Sequence, residues 1–257
     1  MKVLMVGDVV GTSGLDFLRR KLPELKRSLS VDVCVVNGEN AADGNGVTVV
    51  SSESIFTSGA DVITTGNHAF RRREAYDYYD DTECLLRPLN YRSAPGHGYC
   101  VLDMGRYKVG VINLLGTMYL DPLDNPFFAA DEAIKQLSSC SVILVDFHAE
   151  TTSEKRALGF YLDGRVSAVV GTHTHVQTSD ECILKGGTGY ITDLGMTGPL
   201  DSVLGVVPEI VIEKFKYNMP ARFDWKQGKC ELGACLFEID EKTGKTISVS
   251  RILVKED

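Results

Sequence analysis

The chain has no apolar run approaching the ~20 residues that a bilayer span requires, so nothing in it reads as a membrane helix. Its first apolar stretch is cut short by Asp8, and residues 1–8 therefore read as a buried first strand rather than a signal peptide. A basic stripe is also lacking. Lys and Arg number 27 against 35 Asp and Glu, the net charge is −8, and the cations are scattered, which argues against a long nucleic acid as partner. The seven cysteines are an odd number with neither a CxxC pair nor zinc-finger spacing. They fit reduced, mostly buried thiols in a cytoplasmic protein. No internal repeat or low-complexity linker interrupts the chain, and a single domain over residues 1–257 is expected.

What is present is a rhythm. Short β-branched apolar runs at residues 3–6, 31–36, 62–65, 109–114, 142–145, 168–170 and 190–192 are each closed by Gly or a small polar residue. Helical stretches follow them, which predicts an α/β protein with buried strands. Leu15, Leu18, Leu22, Leu25 and Leu29 recur at spacings of three and four, an amphipathic helix period in which Pro23 predicts a kink or a break. Residues 222–225, 231–240 and 246–254 read as antiparallel strands added to a second sheet. Residues 198–208 are the most loop-like segment and are expected to lie over the site.

After nearly every apolar run the first polar residues are of metal-ligand type. Asp8 follows the first, Glu39 and Asn40 the second, and Asn67 and His68 the third, while later runs lead into His148 and into His173-Thr174-His175. In open α/β sheets ligands bind beyond the carboxyl ends of the strands, so these residues are expected to converge in one crevice. Each piece alone has an ordinary reading. A lone Asp after a strand is commonly a turn or a helix cap, and Asn67-His68 alone is a common turn. The coincidence of all of them, in order, favours two metal ions, with seven protein ligands sufficing if Glu39 bridges. His97, in Pro95-Gly96-His97-Gly98, falls outside the pattern and reads as a loop residue.

The order Asp, bridging acid, Asn-His, His, Gly-x-His-x-His resembles that of the calcineurin-like metallophosphoesterases. Longer segments resemble one branch, the bacterial YmdB-type phosphodiesterases: Gly7-Asp8-Val9-Val10-Gly11, Asn37-Gly38-Glu39-Asn40-Ala41-Ala42, Thr65-Gly66-Asn67-His68, Asp146-Phe147-His148-Ala149-Glu150, Gly171-Thr172-His173-Thr174-His175-Val176 and Asp193-Leu194-Gly195-Met196-Thr197-Gly198-Pro199. The resemblance implies a four-layer αββα sandwich of two mixed β-sheets flanked by helices. It also implies that Asp8, Glu39, Asn40 and His175 serve one ion, and Glu39, Asn67, His148 and His173 the other. Two departures from the wider superfamily go together: Val9 and Val10 stand where its first motif carries a His, and the bridging acid is Glu39 rather than Asp. Arg71-Arg72-Arg73, after His68, is more basic than the branch leads one to expect.

The activity that the resemblance implies is hydrolysis of a small phosphodiester, a 2′,3′-cyclic nucleotide. Two ions, divalent or mixed-valence, would acidify a shared water to a pKa of about 7. The mixed nitrogen and oxygen ligands suit iron first, with manganese or zinc as alternatives. His68, beside a ligand but not needed as one, is the expected general acid. The rivals are a metal-dependent phosphomonoesterase such as a nucleotidase, and a metal-binding nucleotide sensor with weak catalysis. Whether the chain forms a homo-oligomer is left open.

Overall fold

Strand β1 (Lys2–Val6) turns Val3 and Met5 to one side and Leu4 and Val6 to the other, all of them buried. A strand covered on both faces needs this pattern of unbroken apolar residues. The structure, a computed structural model, describes residues 1–256. After β1 come β2 (Asp8–Val9), α1 (Gly11–Leu29), β3 (Val33–Asn37), α2 (Val49–Thr57), β4 (Val62–Thr64), α3 (Tyr76–Asp81) and β5 (Leu85–Leu86). The middle of the chain forms β6 (Tyr99–Asp103), β7 (Lys108–Leu115), α4 (Pro126–Gln136), β8 (Val142–His148), α5 (Thr152–Leu162) and β9 (Ala168–Thr172). The remainder forms β10 (Cys182–Ile183), β11 (Gly189–Ile191), β12 (Met196–Pro199), α6 (Pro208–Tyr217), β13 (Cys230–Ile239) and β14 (Thr246–Lys255).

Two mixed sheets result. The first runs β2-β12-β13-β1-β3-β4-β5, with β14 on the outer side of β13, and the second runs β10-β11-β9-β8-β7-β6. Val3, Met5, Val35 and Val62 of the first sheet share one apolar cluster with Val109, Val111, Leu144 and Val170 of the second, so the sheets pack face to face. The outer face of the first sheet carries α1, α2 and α3 through Phe17, Leu18, Leu22, Ile55 and Tyr79. That of the second carries α4 and α5 through Ala130, Ala133, Leu158 and Leu162. This is the expected αββα sandwich. Among the described residues no helix is long and apolar enough to cross a membrane.

Some expectations need correction. Helix α1 continues through Pro23, so the chain does not break there. The carbonyl that Pro23 leaves without an amide partner is that of Arg19, on the exposed side, while Leu18 and Leu22 hold the helix to the sheet. The C-terminal strands β13 and β14 do not extend a second sheet. Strand β13 pairs antiparallel with β1, from Lys2 opposite Glu238 to Val6 opposite Ala234, and completes the first sheet on the edge that β3 leaves open. Residues 222–225 form no strand, only a single bridge between Trp225 and Val206. Strands β8 and β9 run beyond their predicted ends, to His148 and Thr172, because their polar residues pair within the sheet.

Candidate metal centre

The short strands at the rim carry the polar residues. Asp8 opens β2, and Glu39 and Asn40 follow β3. Asn67 and His68 follow β4, His148 ends β8, and the turn after β9 holds His173 and His175. All of the expected residues meet at this one rim, while His97 lies apart in a loop bridged to Leu86. Gly66 shows how close the approach is: a Cβ there would lie 2.1 Å from the His148 ring.

The protons can be traced. Thr172 donates its hydroxyl to Asp146 Oδ1 at 2.8 Å, and so receives Nδ1–H of His148 at 2.9 Å. His148 Nε2 is then bare. His173 Nε2 lies 2.8 Å from the Glu150 carboxylate, which leaves its Nδ1 bare as well, 3.1 Å from His148 Nε2. Asn67 Oδ1 is 3.1 Å from the same Nε2. Three lone-pair atoms therefore face one another with no hydrogen between them.

A second group lies beside the first. His175 Nδ1 binds the Leu204 carbonyl at 3.0 Å, which turns a bare Nε2 toward Asp8 Oδ1, 3.7 Å away. That oxygen is buried without any hydrogen-bond partner. Asn40 presents its amide nitrogen to His175 Nε2 at 3.0 Å and its oxygen to His68 Nδ1 at 2.9 Å. A half-turn of the amide would exchange the two atoms. Glu39 lies between the groups, 3.7 Å from His148 Nε2, and accepts the backbone N–H groups of Gly66 and His68.

The electrostatics point the same way. Burial raises the Glu39 carboxyl well above its usual range, its backbone hydrogen bonds oppose this, and the charge of Asp8 raises it again. Burial would also raise Asp8, but its approach to His175 and the His173 N–H that it accepts hold it below the usual carboxylate range. Burial keeps His148 neutral, with Asp8 the main opposing influence. Among the described residues the only groups within 4 Å that could carry positive charge toward Asp8 or Glu39 are histidines. Two buried carboxylates facing bare imidazole nitrogens, with no Lys or Arg, make an environment for cations. No three His, Cys, Asp or Glu side chains among the described residues are arranged to hold an ion by themselves; the close contacts are pairwise, and Asn side chains take part in three of them.

An unusual backbone conformation places His173 and His175. Both have left-handed backbone, with φ of 100° and 62°. Non-glycine residues hold that conformation only when the surroundings enforce it. Here Asp8 accepts the His173 N–H at 3.1 Å, and Asp193 accepts the Thr174 N–H at 3.1 Å and its hydroxyl at 2.7 Å. Asp193 is itself anchored by Lys155, buried, at 2.7 Å. The turn splays the two imidazoles, one toward His148 and the other toward Asn40.

His68 stands at the mouth. Burial lowers its pKa to about 4, with Arg71 the next cause. The cleft in front of it, about 650 Å³, is also lined by Asp43, Asn45, Arg72, Leu204, Val206, Phe223 and Trp225. The predicted covering loop does reach this cleft, through Leu204 and Val206. Sequence reasoning missed Asn37, Thr172, Lys155 and Trp225 as parts of the site. Thr172 and Asn37 stand inside the quoted motifs, but nothing in the sequence points to Lys155 on α5.

The four-layer sandwich of two mixed sheets is the fold of solved 5′-nucleotidases. A solved 5′-nucleotidase precursor from Thermus thermophilus shares the fold with a TM-score of 0.56 at 14% identity, over 99% of this chain and 54% of that one. The particular family is the YmdB-like proteins, to which the chain belongs: the family's sequence model matches residues 4–252. The chain is 47% identical over 259 residues to the 2′,3′-cyclic-nucleotide 2′-phosphodiesterase of Bacillus subtilis, covering 100% of this chain and 98% of the relative. A solved phosphatase of Mycoplasma pneumoniae superposes with a TM-score of 0.95 at 35% identity, over 100% and 94% of the two chains.

Proposed function

We infer that the chain is a phosphodiesterase with two resident metal ions, acting on small phosphodiesters of the 2′,3′-cyclic nucleotide class. The observation that carries the metal reading is the set of bare His148, His173 and Asn67 donor atoms beside the orphaned Asp8 oxygen. The substrate reading rests on likeness to the Bacillus subtilis enzyme. Asn67, His148 and His173 would hold one ion, Asp8, Asn40 and His175 the other, and Glu39 both. Asn40 would need the half-turn of its amide. When bound, the ions supply Lewis acidity, which acidifies water and offsets phosphoryl charge; iron is the first choice and manganese or zinc the alternatives.

The chain's own residues do the rest. Thr172 fixes the His148 tautomer, and the Asp193–Lys155 pair fixes the turn that aims His173 and His175. His68 touches Asn40 but belongs to neither donor group, and it faces the open cleft. In the free protein its imidazole is neutral near pH 7, and the negative charge of a bound phosphate offsets that of Arg71, the second cause of the low pKa. Protonated there, it gives its proton to the departing ribose oxygen, which leaves as a hydroxyl. The test is steady-state hydrolysis of 2′,3′-cyclic AMP beside AMP and a short RNA, with elemental analysis of the same sample. About two ions per chain and a kcat/KM that favours the cyclic diester are expected. A higher kcat/KM for AMP or the RNA sinks the substrate reading, and a metal-free active sample sinks the metal reading.

A further inference from the structure

The sequence contains one tryptophan, and the fold brings it to the mouth of this cleft. Trp225 is far from every metal-ligand candidate in sequence, yet it lines the same cavity as His68 and His175. Its backbone is pinned there. Trp225 bridges Val206, Asp224 accepts the Val207 N–H at 3.0 Å, and Gly205 accepts the Lys226 N–H at 2.8 Å. The residue before Gly205, Leu204, supplies the carbonyl that binds His175. One short segment thus orients both an imidazole of the centre and the indole.

The indole is also backed. Gly44, with φ of +70°, lies so close to the ring that a Cβ there would stand 1.9 Å from it. Only a glycine fits against that side, and the half-buried ring keeps its remaining surface in the cleft. Phe223 lines the same wall and is 38% exposed, while Leu204 is 45% exposed. Large apolar surface left open beside a polar centre is unusual unless a ligand covers it. A phosphate held at the ions would leave the rest of its molecule in this cleft, and a flat ring is the shape that indole and phenyl surfaces favour.

We propose that Trp225, with Phe223 beside it, is the nucleobase subsite, stacking the base of a nucleotide whose phosphate sits at the metal centre. The assignment rests on the cyclic-nucleotide reading for the identity of the ring. Stacking is tolerant of sequence because every base has a π-face, so the subsite favours nucleotides over base-free diesters.

Because Trp225 is the only tryptophan, emission excited at long wavelength reports on it alone. The metal-loaded protein is titrated with adenosine, adenosine 3′-monophosphate and ribose 5-phosphate. Quenching by the two adenine compounds and not by ribose 5-phosphate is expected. Equal quenching by all three, or none by the nucleotide, overturns the proposal. In parallel, kcat/KM is measured for 2′,3′-cyclic AMP and for base-free glycerol 1,2-cyclic phosphate. The ratio of the two should fall by about tenfold in Trp225→Ala, the order that base–aromatic stacking confers, and recover in Trp225→Phe. A ratio that does not change in Trp225→Ala also overturns it. Base-dependent quenching in a protein that hydrolyses neither cyclic diester would sink the phosphodiester reading and uphold the subsite.

Discussion

His148 and His173 face each other across 3.1 Å, yet they are held in opposite ways. His148 is the last residue of a buried strand, and its far nitrogen rests on Thr172, Asn37 and Asp146, all buried. His173 sits on a left-handed turn, and its far nitrogen rests on Glu150, whose side chain is 50% exposed. One support is dry and built from sheet; the other is wet and built from a turn. Polar contacts that are costly to break lie at the floor, and those that solvent can replace lie at the lip.

The largest test of this picture removes the group shared by both corners. In Glu39→Gln two dications would face each other across a neutral amide, so most of the metal and all measurable activity should be lost. Near-normal occupancy of both sites, by elemental analysis, would show that Glu39 is not the bridge. Next is His68→Ala, expected to keep both ions and lose roughly two to four orders of magnitude in turnover on a substrate with a poor leaving group. A p-nitrophenyl diester should largely rescue it. Equal impairment on both substrates would assign His68 to positioning instead.

The two supports can then be compared directly. Thr172→Val keeps the shape but removes the hydroxyl between Asp146 and His148, and should cost about 10–100-fold in metal affinity or activity. It should also cost about 1–3 kcal/mol in stability, because Asp146 and the His148 N–H lose a partner away from water. Denaturant melts of the metal-free protein read the second effect alone. Glu150→Gln, at the lip, should cost less than about tenfold, because an amide oxygen and water can both replace the carboxylate. A Glu150→Gln loss as large as that of Thr172→Val would overturn the division into floor and lip.

The positions of strands and polar ends are legible in the sequence because buried strands are written as unbroken apolar runs. Asp8, Glu39, Asn67 and His148 can be read for that reason. The turn at His173 cannot, since nothing local to Gly-Thr-His-Thr-His announces two left-handed residues; Asp8 and Asp193, distant in sequence, impose them. Strand β13 is recognisable as a strand, but its sheet is not, because strand order depends on which edges remain open. Trp225 carries no periodic or motif signal. Its place follows from the loop at Leu204 and from the space above Gly44.

The union of the first strand with one of the last also bears on how the molecule is made. The Met1 amino group binds the Ile239 carbonyl at 2.9 Å, across 238 positions of chain. During synthesis at about 5–20 residues per second, β1 emerges roughly ten to fifty seconds before the strand that flanks it. Until then that edge of β1 has no partner strand. Asp8 stands just beyond that edge, and its own strand pairs with β12, also made late. The cluster of candidate ligands therefore closes only after residue 196 has been made, and a ribosome stalled before it would display a chain unable to pair the strand that carries Asp8.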